Sequence, residues 1–201
     1  MKIVEIFKSI QGEGSNFGKQ VIFIRLGNCN LQCPWCDTNW KKYGEISIQE
    51  IIEEILKYKC KNVIITGGEP TISNLEPLLK ELKDKGYWIA IETNGTNNIS
   101  YEYIDYIATS PKFIYGPNII KLKKANEIRI VVDTSNKKDF INFCIDIKNK
   151  IKANKYFLSP VEIKGEFKNL ALLGEIKQKL KERGAGEWEI SIQLHKLMKI
   201  Q

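Results

Sequence analysis

The sequence predicts an α/β fold built on parallel strands, and three observations predict it. Short runs of β-branched and aromatic residues recur along the chain. Amphipathic helical stretches fall between them, and polar loops follow the ends of the strand-like runs. No repeat or low-complexity linker breaks the pattern, so residues 1–201 are expected to form one domain.

The elements follow in order. Residues 3–7 and 21–26 are dense in Ile, Val and Phe and read as strands. Ser47-Ile48-Gln49-Glu50 is a capping box, and Ile51, Ile52, Ile55 and Leu56 form one apolar helical face behind it. A strand over 62–66 precedes a helix that Asn74 is expected to cap and Gly86 to stop after residue 85. Strands are expected over 88–92, 106–109 and 127–132, then a helix over 137–152 and a strand over 156–159. A helix over 170–183, ended by Gly184, and a strand over 189–193 complete the pattern.

Composition excludes several classes. Hydrophobic content of 43% and charged content of 27% are those of a soluble globular protein. No apolar run approaches the roughly 20 residues needed to span a bilayer. The net charge of +7 comes from scattered lysines such as Lys57, Lys59 and Lys61 that alternate with apolar residues. They read as solvated faces and not as a polyanion site, so no nucleic-acid partner is expected. Five cysteines are an odd count, and Met1-Lys2-Ile3-Val4-Glu5 enters a strand directly without a signal-like apolar region. A reducing, cytoplasmic location is expected.

Cys29, Cys33 and Cys36 stand in Cys-x-x-x-Cys-x-x-Cys spacing. Three thiolates on one loop can hold three irons of a [4Fe-4S] cluster and leave the fourth iron open to a small chelating molecule. Structural zinc wants four ligands. His195 is the sole histidine, and Cys60 and Cys144 lie alone in apolar-periodic segments that suggest core packing. Zinc is the weaker reading and stays open.

Four polar loops follow strands: Thr66-Gly67-Gly68-Glu69-Pro70, Glu92-Thr93-Asn94-Gly95-Thr96, Ser110-Pro111-Lys112 and Ser159-Pro160-Val161. Parallel strands open such loops on one face, where these folds place their sites. The paired glycines let backbone approach a ligand, and Glu69 can accept from an ammonium. Gln11 and Glu13 offer an amide and a carboxylate suited to the guanidine-like edge of a pterin or purine. Arg25 can fork onto a carboxylate. Thr38 is either a local hydrogen-bonding residue or a weak Mg²⁺ ligand.

Together these residues identify a resemblance. The cysteine loop resembles that of radical S-adenosylmethionine enzymes. Ser9-Ile10-Gln11-Gly12-Glu13-Gly14, Phe23-Ile24-Arg25-Leu26, Trp35-Cys36-Asp37-Thr38 and Ser191-Ile192-Gln193-Leu194-His195-Lys196 make the chain resemble 7-carboxy-7-deazaguanine synthases over nearly its whole length. The resemblance implies a reduced, incomplete (β/α) TIM-like barrel of the radical S-adenosylmethionine type, with residues 189–201 closing over the substrate. It implies that Cys29, Cys33 and Cys36 hold the cluster and that Thr38 binds Mg²⁺. Trp35, Cys36, Asp37, Gly68, Glu69, Ser110, Pro111, Lys112, Ser159, Pro160, Val161 and Glu162 would line S-adenosylmethionine. Ile10, Gln11, Gly12, Glu13, Arg25, Thr66, Glu92, His195 and the carboxylate of Gln201 would face the substrate.

The reaction it implies is a radical ring contraction of 6-carboxy-5,6,7,8-tetrahydropterin to 7-carboxy-7-deazaguanine with loss of ammonia, in queuosine or other deazapurine biosynthesis. No catalytic side chain is expected beyond the chemistry that the cofactor carries. The resemblance further implies a homodimer and a flavodoxin-like or ferredoxin-like electron donor. The nearest alternative is a radical S-adenosylmethionine activating enzyme acting on a protein partner.

Overall fold

The computed structural model describes residues 1–100, 102–163 and 165–198. Ten strands form one sheet: β1 (Lys2–Ile10), β2 (Gln20–Leu26), β3 (Gly44–Glu45), β4 (Asn62–Gly67), β5 (Trp88–Thr93), β6 (Tyr106–Thr109), β7 (Glu127–Val132), β8 (Lys155–Ile163), β9 (Glu166–Lys168) and β10 (Glu189–Ile190). Their order is β10-β8-β7-β6-β5-β4-β2-β1-β3, with β9 off β8. From β2 through β10 along that path every pairing is parallel, as helical crossovers require. β10 and β3 stand at opposite ends of the order, so the barrel is incomplete, as expected.

Helices α1 (Ile48–Leu56), α2 (Glu76–Asp84), α3 (Lys137–Lys150) and α4 (Leu170–Glu182) cover the outer face of the sheet. Ile51, Ile52, Ile55, Leu78, Leu82, Phe140, Ile147, Ile176 and Leu180 bury there with Ile22, Ile24, Val63, Ile65, Ile89, Ile91, Ile128 and Ile130. Those strand residues alternate along each strand, so the intervening ones must face the other way. The capping box forms as read, with the Ser47 side chain accepting from Glu50 N and Glu50 bonding back. Leu56, assigned to the apolar face, is instead 57% exposed at the last turn. Asn74 Oδ1 does accept from Glu76 N (3.3 Å), but the helix starts at Glu76 with Leu75 as its N-cap. Cys144 is buried, as packing predicts, whereas Cys60 is only partly so.

Other differences have local causes. β1 runs three residues past its expected end, to Ile10, because it pairs antiparallel with β2 from Ile3↔Leu26 to Ile10↔Gln20. β8 continues to Ile163 because β9 folds back on it antiparallel. The strand expected over 189–193 stops at Ile190, and Leu194–Met198 form a short helix, α5. Among the described residues no helix is long and apolar enough to cross a membrane.

Candidate active site

The inner face of the sheet is the complement of the outer core. At its base Val21, Ile64 and Ala90 form a small apolar cluster with Phe23, Trp88 and Tyr106. One step further along each strand the register brings polar groups abreast: Arg25↔Thr66, Glu92↔Ala108, and beyond them Val131↔Ser159. The alternation that buries isoleucine outside thus places Arg25, Thr66, Glu92, Arg129 and Ser159 on one concave wall. They line a cavity of about 640 Å³, within the usual range for small-molecule sites.

The three cysteines lie on that cavity, on the loop between β2 and β3. The loop is fixed from several sides. Gly68 N donates to Leu26 O and Glu69 N to Asn28 O, both at 2.9 Å. Asn94 Nδ2 donates to Asn30 Oδ1 (2.9 Å), and Asn30 Nδ2 to Thr96 Oγ1 (2.8 Å). Gln32 N donates to the Tyr115 hydroxyl (2.8 Å). Trp35 Nε1 donates to Asp133 Oδ2 (3.1 Å), and Lys112 Nζ sits 5.1 Å over the Trp35 ring. A Cβ on Gly68 would lie 1.6 Å from Asn28 O, so the second glycine is what lets the β4 end touch the loop backbone.

This donor set fits an iron–sulfur cluster. Burial pushes the Cys29 and Cys33 thiols up, partly opposed by Lys112, so a coordinated metal would supply the charge that makes them thiolates. Among the described residues no three His, Cys, Asp or Glu side chains converge on one point, as a single tetrahedral ion would require. Three thiols spread along one loop suit separate irons. Ser159 Oγ and Asp133 Oδ1 are buried without a hydrogen-bond partner, and Ser159 lines the same cavity. Such orphaned polar atoms suit the polar groups of a bound adenosyl cofactor.

The other end of the cavity is a carboxylate cluster. Glu92 accepts from Gln11 Nε2 (2.9 Å) and Thr66 Oγ1 (3.0 Å). Arg129 pairs with Glu13 (3.1 Å), Glu127 (3.0 Å) and Glu92. Burial acts to raise the Glu92 carboxyl, but Arg129, Thr66 and Gln11 outweigh it and hold it below the usual carboxylate range. Phe7 stacks on Phe23 with centroids 5.1 Å apart, giving the Arg25 side of the cavity an aromatic floor. Arg25 donates to Glu5 (2.7 Å) and to Thr38 Oγ1 (3.2 Å).

Residues 191–198 cross this end. Leu194 N donates to Gly12 O (3.2 Å), Gly14 N to Ser191 Oγ (3.0 Å), and Gln193 Nε2 to Glu13 Oε1 (2.6 Å). His195 Nδ1 would lie 2.3 Å from a Cβ at Gly12, so only glycine admits the tail there. Lys196 bridges Asp37 (2.7 Å) and Glu162 (2.9 Å). The hydrogen bond from Lys196 holds the Glu162 carboxyl low, and although burial acts to lower Lys196, its acidic partners raise it. The sign follows. The Glu162 share of docking is present above the ordinary carboxylate range and is lost as pH falls through its lowered value. The Lys196 share is complete below the ordinary lysine value of about 10.4 and is lost only as pH rises through its raised one. Protection of amides 191–198 against hydrogen exchange, taken relative to the intrinsic rate at each pH, is therefore expected to be highest near neutrality and to fall in acid, and Lys196→Met is expected to lower it at neutral pH. Equal exchange in both proteins would disprove the clasp.

Most residues singled out from sequence meet here. Ile10, Gln11, Glu13, Arg25, Thr66, Glu92, His195, Trp35, Asp37, Thr38, Gly68, Ser110, Lys112, Ser159, Pro160, Val161, Glu162 and the three cysteines all line the cavity. Gly12 and Pro111 are buried behind it, and Gln201 lies outside the described residues. Glu69 is not on the wall. It is 1% exposed, and its carboxylate accepts from Thr71 N (3.0 Å), Thr71 Oγ1 (2.6 Å), Thr93 Oγ1 (2.7 Å) and Asn94 N (2.6 Å). It braces the loops after β4 and β5, with three of these bonds on Oε1 and one on Oε2. Sequence reasoning missed Arg129, Gln193 and Lys196. A cation between isoleucines in Glu127-Ile128-Arg129-Ile130 was the available signal, since a charge inside a strand must have a buried partner.

Comparison with known proteins gives a consistent result. The Radical SAM superfamily model matches residues 23–171. The chain is 46% identical to the 7-carboxy-7-deazaguanine synthase of Haemophilus influenzae, over 99% of this chain and 93% of that protein. It is 41% identical to the enzyme of the same name from Neisseria meningitidis, over 97% and 92%. The crystal structure of QueE from Escherichia coli superposes with a TM-score of 0.74 at 28% identity, covering 96% of this chain and 93% of that one. A three-cysteine loop on an open parallel sheet, matched at this identity over nearly full length, establishes that the chain belongs to the radical SAM superfamily and, within it, to the 7-carboxy-7-deazaguanine synthase family.

Proposed function

We propose that this protein converts 6-carboxy-5,6,7,8-tetrahydropterin to 7-carboxy-7-deazaguanine with loss of ammonia. One observation carries the reading: a single cavity joins the three-cysteine loop to the acceptor cluster of Gln11, Glu13, Thr66 and Glu92. When bound, a [4Fe-4S] cluster and S-adenosylmethionine supply the one-electron chemistry that abstracts a hydrogen atom.

The chain's own residues hold, orient and enclose. Cys29, Cys33 and Cys36 ligate the cluster. Trp35, Asp37, Gly68, Ser110, Lys112 and the 159–162 segment take the cofactor, with Gly68 allowing main-chain approach. Gln11, Glu13 and Glu92 accept from the amino-pyrimidinone edge of the pterin, which is rich in N–H donors. Arg25, over the Phe7 ring at 5.6 Å, faces the carboxylate. Thr38 adds one hydroxyl oxygen for Mg²⁺, beside the Arg25–Glu5 pair. The tail from 189, with His195, closes the substrate end and excludes water. A single domain, a homodimer, a cytoplasmic location and a flavodoxin-like or ferredoxin-like donor complete the reading.

The test is anaerobic turnover. With a reconstituted cluster, reductant, S-adenosylmethionine, Mg²⁺ and the pterin, 7-carboxy-7-deazaguanine is expected by mass spectrometry, with many products per S-adenosylmethionine. Formation of 5′-deoxyadenosine without that product would keep the superfamily chemistry and refute the substrate, leaving a protein-directed activating enzyme as the reading.

A further inference from the structure

Arg129 has no role in the reading so far, yet it occupies the centre of the acceptor end. It sits on the inner face of β7, 7% exposed, and lines the cavity. Its guanidinium spends each nitrogen on a different element: Nε on Glu127 Oε1 (3.0 Å) within β7, one terminal nitrogen on Glu13 Oε2 (3.1 Å) in the loop after β1, the other on Glu92 Oε1 in β5. Only a rigid planar fork spans three carboxylates in this way, because a lysine ammonium is a point charge on a flexible stem.

The three carboxylates are not equivalent. Glu127 is 1% exposed, does not line the cavity, and also accepts from the Tyr106 hydroxyl and Ser15 N, both at 2.8 Å. It holds Arg129 from behind. Glu13 and Glu92 line the cavity, and their remaining donors, Gln193, Gln11 and Thr66, line it too. One guanidinium among three carboxylates leaves an excess of negative charge, which suits a donor-rich edge. Without the guanidinium, two neighbouring carboxylates would share a proton. One of them would then become a donor, mismatched to the N–H groups it should receive.

We propose that Arg129 is the positioning residue of this site: it fixes Glu13 and Glu92 side by side as a pair of acceptors, braced by Glu127. The inference rests on reading this cavity as the pterin site. A residue that merely stabilised the fold would lower activity through the amount of folded enzyme. A positioning residue for the acceptors acts on substrate affinity.

The experiment compares Arg129→Gln and Arg129→Lys with the parent, all with reconstituted cluster. Pterin affinity is measured by anaerobic calorimetry, S-adenosylmethionine affinity in the same way, and KM and kcat by product formation. Removing one partner of a buried, hydrogen-bonded charge pair is expected to raise pterin Kd and KM at least about 30-fold in the Gln variant. Lys is expected to fall between Gln and the parent, with S-adenosylmethionine affinity unchanged in both. A parent-like KM in the Gln variant, or losses confined to kcat, would overturn the inference. If Gln prevents folding, Lys decides: an intermediate KM supports the inference and a parent-like one overturns it. Failure of the parent itself to bind the pterin would instead refute the proposed function.

Discussion

Gly68→Ala is expected to abolish cluster retention and reduce turnover by at least about 100-fold, the scale of an ångström-size misplacement of reacting groups. The cause is steric and lies in backbone. The added Cβ would fall 1.6 Å from Asn28 O and 3.2 Å from Cys29 N, atoms that no rotamer change can move. Asn28 already holds a left-handed conformation (φ 72°) with its carbonyl accepting from Glu69 N, so the loop entry has little room to yield. Displacing it shifts Cys29 directly. Iron and sulfide content after anaerobic reconstitution, with thermal unfolding alongside, checks the expectation. Gly44→Ala is the control, since a Cβ there meets nothing within 4 Å. Parent-like iron content in Gly68→Ala would show that the two segments do not touch as described.

Glu69→Ala is expected to cost on the order of 3–5 kcal/mol, because each buried donor left unsatisfied costs about 1–3 kcal/mol. Thr71 N and Asn94 N would both lose their acceptor, as would the hydroxyls of Thr71 and Thr93. That is a large part of the roughly 5–15 kcal/mol by which a domain is stable. Glu69→Gln should also destabilise, since its amide sets N–H against donors where the carboxylate only accepts. Equilibrium denaturation reads both variants. A Gln variant of parental stability that has lost S-adenosylmethionine affinity would show that Glu69 acts as a direct ligand contact and not as a brace.

Glu69 also marks the boundary of what could be read from sequence. Its motif correctly announced a tight strand-to-loop turn where main chain meets main chain. That its carboxylate also accepts from neighbouring Thr71 and from Asn94, 25 positions on, is a tertiary fact that no local motif announces. The βα alternation was legible because apolar period tracks backbone period, and the loops after β4, β5 and β6 do meet at one cavity, although the expected loop at Ser159-Pro160-Val161 lies within β8. Arg129 was not legible, because its three partners come from separate elements and only the register of the sheet aligns them. The last strand was overextended for a similar reason. Ser191-Ile192-Gln193 alternates like a strand, but Ser191 and Gln193 bond to the loop after β1, which turns the chain away from β8. The antiparallel pairing of β9 with β8 was not among the elements expected from the sequence.

The bonds between the 12–14 loop and the 191–194 segment carry a consequence for vectorial synthesis. Gln193 and Glu13 are 180 residues apart, so their closure waits on nearly the whole chain. Contacts of such sequence separation form late and leave polar groups open to solvent meanwhile. A nascent chain ending before Ser191 would hold its acceptor carboxylates around an unroofed trough, open to water and to adventitious cations until the tail emerges.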